Sequence, residues 1–311
     1  MHVPDNYLSP STCAAAGAVM VPVWAWAVKK VKKEFSSKNI VLVGIFAAYS
    51  FLLMMFNIPL PGGTTGHAVG ATLLSVLIGP FAACVSLSIA LFIQAVFFGD
   101  GGLLSFGVNA FNIAFVMTFS GYFIYMVLRS LFRSDKWNSA ALFVASYMSL
   151  NIGALFTALE FGIQPLLFKN VAGLPMYSPY PLSIALPAMM IPHLLVVGVI
   201  EGFITVGIYN FIKRVSPVSV RKIYEVNLKP AYAVIVFMIL LSPLGMLVSG
   251  TAWGEWDRQN GFKFNSIIPD YAIPFIKNGA LSYMLSAVIG VALVLFITRA
   301  LKRVFNARTN Y

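Results

Sequence analysis

The sequence predicts an all-α polytopic membrane protein. Of its 311 residues, 59% are hydrophobic and only 10% are charged, which is too little polar surface for a soluble fold. Apolar runs of spanning or near-spanning length recur along the chain, and short basic clusters separate them. The net charge of +11 therefore reads as a means of orienting helices in a bilayer, with no nucleic-acid partner implied.

Nine apolar segments carry the pattern, over residues 11–28, 40–56, 67–79, 81–98, 108–128, 137–160, 181–212, 230–249 and 279–298. The segment 67–79 is short and follows the Gly/Pro-rich stretch NIPLPGGTTG. This predicts an interrupted opening, because such backbone is tolerated in a membrane only where protein or a cavity satisfies its polar groups. With the N-terminus outside and nine crossings, basic clusters at 29–38, 129–136, 213–229 and 299–308 fall inside. Only Lys169, Arg258, Lys263 and Lys277, of 21 Lys and Arg residues, fall outside. The asymmetry predicts an outer N-terminus and an inner C-terminus.

The polar, basic stretch KRVSPVSVRKIYEVNLK at 213–229 reads as a cytoplasmic linker. It divides the chain into a seven-helix unit, 1–212, and a two-helix unit, 230–311, with a polar loop outside. Cys13 and Cys84 lie in apolar surroundings without a CxxC pattern and read as packing residues. The first ten residues carry no Lys or Arg, so the opening is not expected to be a removable signal peptide. Met1 is expected to be retained, because His2 is large.

His2 directly after Met1 gives the chain start a chemistry of its own. The α-amine, the deprotonated amide of His2 and its imidazole Nδ1 can chelate one ion through a five- and a six-membered ring. Three nitrogens then share a plane and one equatorial place stays vacant. His67, predicted on the same outer side, is the candidate to fill it. Four planar nitrogens suit Ni(II) or Cu(II), with low-spin Co(II) possible, whereas Zn(II) prefers a tetrahedron. Protons compete for the amine and the imidazole, so binding weakens in acid. On chemistry alone the alternative stays open: His2 is a surface residue, and His67 caps a helix or satisfies a loop carbonyl.

His193 and Glu201, eight residues apart, share a broad helical face about 80° wide. Ionisable groups inside a membrane mark an ion path or a buried partner, so either a structural or coupling role or direct ligation is open to His193. Pro192 also raises the prospect that His193 is interfacial. Asp100 in FFGDGG and Glu160 are candidates for a cation-attracting mouth. Asn109 and Asn112 are candidates for orienting a ligating imidazole, and Ala14 to Ala18 for close helix packing, within the chain or to another subunit. GGTTGHAVG lacks the Gly-Lys-Ser/Thr ending of a phosphate-binding loop, and neither HExxH nor GxSxG occurs. The chain is therefore not expected to be an enzyme or to need a cofactor, and any ATP hydrolysis falls to another chain.

MHVPDNYLSP, GHAVGATLLSVLIGP, FFGDGGLLSFGVNAFNIA and PHLLVVGVIEGFIT together resemble the CbiM/NikM family, the substrate-specific membrane components of energy-coupling-factor transporters for nickel and cobalt. The similarity covers about residues 1–212. LLSPLGMLVSGTAWGEW, IPDYAIP and LSYMLSAVIGVAL resemble the small two-helix auxiliary component, here fused through the linker. The resemblance implies a seven-helix unit with a buried N-terminal tail. It also implies a square plane made by the Met1 amine, the His2 amide and side chain, and the His67 imidazole. A transmembrane coupling subunit and cytoplasmic ATPases would complete a transporter in a bacterial or archaeal cytoplasmic membrane. Asn6-Tyr7 stands where Gly-Phe or Gly-Tyr is usual. The outer loop of the auxiliary unit carries no His or Cys, so that unit is expected to assist metal loading and to supply no ligand. Rival readings are a gradient-driven secondary transporter or channel, with Glu160, His193 and Glu201 as a proton relay, and a metal-sensing or assembly protein.

Overall fold

The computed structural model describes residues 2–35, 40–60, 64–215, 229–247 and 261–306. The Met1 amine, most of the 213–229 linker and the SGTAWGEW stretch lie outside the described residues. In chain order the elements are α1 (Pro10–Glu34), α2 (Ile40–Met54), β1 (Ile58–Leu60), β2 (Thr64–Gly66), α3 (Ala71–Ile78), α4 (Pro80–Phe98), α5 (Phe106–Leu131), α6 (Asn138–Leu167), α7 (Leu182–Val215), α8 (Lys229–Leu241) and α9 (Gly279–Asn306). Six of the helices described are long and apolar enough to cross a membrane, and the protein is a multi-pass membrane protein.

Helices α2 and α4 form the centre. Almost every residue of α2 is buried, as expected for a helix apolar all round. α4 packs against α1, α2 and α5, while α6 lies between α5 and α7. α9 returns from the C-terminal unit to pack on α2 and α4. Gly290 lets it approach: a Cβ there would collide with the buried Phe51 ring of α2. Gly107 of α5 likewise meets the backbone of Gly17 in α1, a small-residue crossing of the membrane type. Ala14, Ala15 and Ala18, by contrast, are exposed on α1, so packing within the chain accounts for Gly17 and not for them.

The short predicted segment 67–79 takes an unexpected form. A small antiparallel hairpin pairs Ile58 with Gly66 and Leu60 with Thr64, and residues 67–70 that follow are non-helical. α3 itself has eight residues, a rise of about 12 Å, less than half of a ~30 Å hydrocarbon core. Gly70 and Gly79 bracket it, both with positive φ, 76° and 84°, which glycine adopts without steric cost. His67 thus stands on an irregular loop inside the protein. Pro192 also departs from expectation. It lies within α7, where a π turn at His193–Val197 follows it and re-satisfies the interrupted ladder.

Substituting Gly290 by Leu is expected to force α9 away from Phe51 and destabilise the protein by about 1–3 kcal/mol. Thermal unfolding of the purified protein measures this.

Candidate metal centre

Backbone buried among helices must satisfy its polar groups internally, and Val3, Tyr7 and Ser9 of the N-terminal tail do so. The N–H of Val3 donates to Asn109 Oδ1 at 2.7 Å. Its carbonyl accepts from Asn109 Nδ2, Ser105 Oγ and the Gly102 N–H. The Asp5 carboxylate accepts from the N–H groups of Leu103, Leu104 and Ser105, in the turn that leads into α5. Ser9 donates its N–H to Gln164 Oε1 and accepts from the N–H of Thr12 as the cap of α1. Val3 and Leu8 are fully buried as a result.

The tail delivers His2 to His67. Their ring centroids are 4.7 Å apart at 44°, and both side chains are buried. Each has an Nε2 that is buried without a hydrogen-bond partner. Nδ1 of His2 bonds Asp100 Oδ1 at 2.7 Å, and Nδ1 of His67 lies 3.3 Å from the Ala68 carbonyl. Burial opposes ionisation of Asp100, but the His2 imidazole and the Tyr271 hydroxyl outweigh it and hold this carboxyl well below the usual range. Among the described residues no three His, Cys, Asp or Glu side chains gather into a metal cluster. A cation between these two imidazoles therefore needs donors from elsewhere, such as the main chain.

The His67 loop is gripped by Glu201. Its Oε2 accepts the Val69 N–H at 2.8 Å and its Oε1 the Gly70 N–H at 2.9 Å, while Ser50 Oγ donates to the Val69 carbonyl. One turn earlier on α7, Val197 packs on Gly66. Glu201 and His193 thus make separate bonds. His193 is fully buried within the protein, and its Nδ1 donates to the Met189 carbonyl at 2.7 Å. Asn109 serves the tail backbone and makes no bond to an imidazole ring. Asn112 donates to Glu160 Oε2 at 2.6 Å, apart from the histidine pair. Cys13 and Cys84 are free and buried.

The family model described as "Cobalt uptake substrate-specific transmembrane region" matches residues 2–219, a span that includes all of these side chains except Tyr271. The chain belongs to the CbiM family. It is 42% identical to the probable fused nickel transport protein LarMN of Lactiplantibacillus plantarum, over 97% of this chain and 98% of that one. It is 39% identical to the fused nickel transport protein NikMN of Rhodobacter capsulatus, over 94% and 95%. A solved truncated transition metal transporter shares 49% identity and a TM-score of 0.66, covering 69% of this chain and 99% of its own. The alignments with the fused relatives run through both parts of the chain, so this CbiM-family region carries the fused C-terminal component as they do.

Several residues of the centre escaped the sequence reading. Asp5 was visible only inside the quoted opening motif, and Gln94 and Gln164 had no signal at all. Tyr271 was visible inside IPDYAIP, yet its partner Asp100 is 171 residues away. Asn6 has φ 66°, a left-handed value that Asn tolerates better than most residues. Its side chain adds two bonds to the Phe262 backbone, at 2.7 and 2.8 Å.

Replacing Glu201 by Gln presents an NH2 group to one of two buried N–H donors. A loss of about 1–3 kcal/mol is expected, read as a lowered unfolding temperature. Glu201→Asp, which keeps the charge, is expected to lose less.

Proposed function

We propose that the protein takes up Ni(II), or Co(II), across the cytoplasmic membrane as the substrate-specific component of an ATP-driven energy-coupling-factor transporter. The observation that carries this is the pair of unpartnered, buried Nε2 atoms on His2 and His67, with ring centroids 4.7 Å apart. The ligands are the Met1 amine, His2 and His67. The tail chelate uses Nδ1 of His2, which here bonds Asp100. Closing the chelate therefore exchanges that bond for one to the metal. The Asp100 carboxylate stays beside the ring, where its charge favours a divalent cation.

Nickel is the preferred cargo. A d⁸ ion gains most from a square plane of nitrogens, and the fused relatives of Lactiplantibacillus plantarum and Rhodobacter capsulatus are named for nickel. A cobalt transport protein of Geobacter sulfurreducens aligns over 80% of this chain at 30% identity. In this reading seven helices in residues 1–212 bind metal, 213–229 links, and 230–311 is the auxiliary unit, with the N-terminus outside and the C-terminus inside. The coupling subunit and the ATPases dock on the helices and the inner face. The exposed Ala14, Ala15 and Ala18 of α1 suit close helix contact. The gradient-driven alternative needs Glu201 free to carry protons, but both of its oxygens are committed to backbone amides.

His2→Ala and His67→Ala are each expected to abolish tight Ni(II) binding while the helical content of the purified protein is retained. Normal metal occupancy in either variant would sink the ligand assignment. Vesicles holding the protein with its ATPase partners are expected to accumulate Ni(II) only with ATP. Uptake driven by a proton gradient alone would select the secondary-transporter reading.

A further inference from the structure

We propose that Tyr271, from the C-terminal unit, is a positioning residue of the metal centre that fixes Asp100 against the His2 imidazole. The inference rests on the metal reading of His2 and His67 above. Tyr271 Oη donates to Asp100 Oδ2 at 2.6 Å, and Asp100 Oδ1 bonds His2 Nδ1 at 2.7 Å. With one oxygen on the phenol and the other on the imidazole, the carboxylate cannot turn away from either. Gln94 Nε2 braces the pair, at 3.3 Å from both Asp100 Oδ2 and Tyr271 Oη. Once Nδ1 passes to the metal, the phenol and Gln94 still hold the carboxylate beside the ring. Its fixed charge favours a cation at the ring whichever nitrogen ligates.

The backbone supports this independently. Among the described residues, the non-glycine residues with positive φ are Asn6, Asp270 and Tyr271. All three stand where the C-terminal segment meets the metal-site end of the bundle. Left-handed backbone at two successive L-residues is unfavourable and persists only where the surroundings over-determine it. Here Ser282 and Ser286 both donate to the Tyr271 carbonyl. The Tyr271 ring stacks on Phe98 at 4.6 Å and 18°, and the Ile268 N–H donates to the Phe97 carbonyl at 2.7 Å. The segment is built to present one phenol to one carboxylate. A unit without His or Cys in its outer loop can thus act on the metal through an intermediary.

The test uses the full chain and Ni(II) alone. Tyr271→Phe keeps the ring stack and removes only the hydroxyl. It is expected to weaken equilibrium Ni(II) binding about tenfold, and Asp100→Asn about 10- to 100-fold. The double variant is expected to bind no more weakly than Asp100→Asn, because the two residues act in series. The visible absorption band of bound Ni(II) is expected to shift in Tyr271→Phe. It should stay put in Tyr283→Phe, which removes a nearby buried hydroxyl bonded to the Met55 carbonyl. Binding by Tyr271→Phe as tight as the parent's or tighter, losses that multiply in the double variant, or equal effects from both tyrosines would overturn the proposal. Unaltered binding in His2→Ala is a different outcome, which overturns the metal reading and this inference with it.

Discussion

The arrangement depends on hydrogen bonds that allow the tail before α1 to lie inside an apolar bundle. An unpaired backbone group in that setting costs several kcal/mol. Val3 and Asp5 remove the cost by taking their partners from Asn109 and from the turn that opens α5. The bonds serve both sides, because the Asp5 carboxylate satisfies N–H groups of the turn before α5 that would otherwise be left bare. His2 is held by this ladder and not by its own side chain alone.

The same economy governs the second histidine. Residues 67–70 are irregular, and irregular backbone survives at membrane depth only when it is enclosed and paired. Glu201 and Ser50 supply that pairing from α7 and α2. An intramembrane carboxylate therefore reads here as a backbone clamp. The two imidazoles approach one another because two separate helix contacts, one on the tail and one on the loop, are met at once. A site held in this way is stiff at its supports and leaves the unpartnered nitrogens free for a ligand.

The C-terminal unit packs over the tail. Asn6 joins it to the tail through Phe262, and Tyr283 joins α9 to α2 through the Met55 carbonyl. A polar cavity of about 300 Å³, lined by Pro4, Asp5, Asn6 and Lys263 among others, lies between the tail and this cover. The fused unit is thus part of the wall around the chain start, in addition to being two further helices.

The sequence alone determined the membrane class, the apolar segments and the pairing of His2 with His67 as candidates. These follow from composition, from periodicity and from the chelating power of a histidine beside a free amine, all of which are local. The shortness of α3 was legible from NIPLPGGTTG, whereas the hairpin before it was not, because strand pairing across 58–66 carries no strong signal in so short a run. The uses of Asn109, Glu201 and Asp100 were decided only by the tertiary structure. Each was visible as a costly polar residue in apolar surroundings. Its partner, however, lay on another helix or in the fused unit: a Val3 amide, a Gly70 amide, a Tyr271 hydroxyl. A sequence shows that a buried polar group must be paired, but the pair forms through space between segments far apart in the chain, so only the packed bundle can say with what.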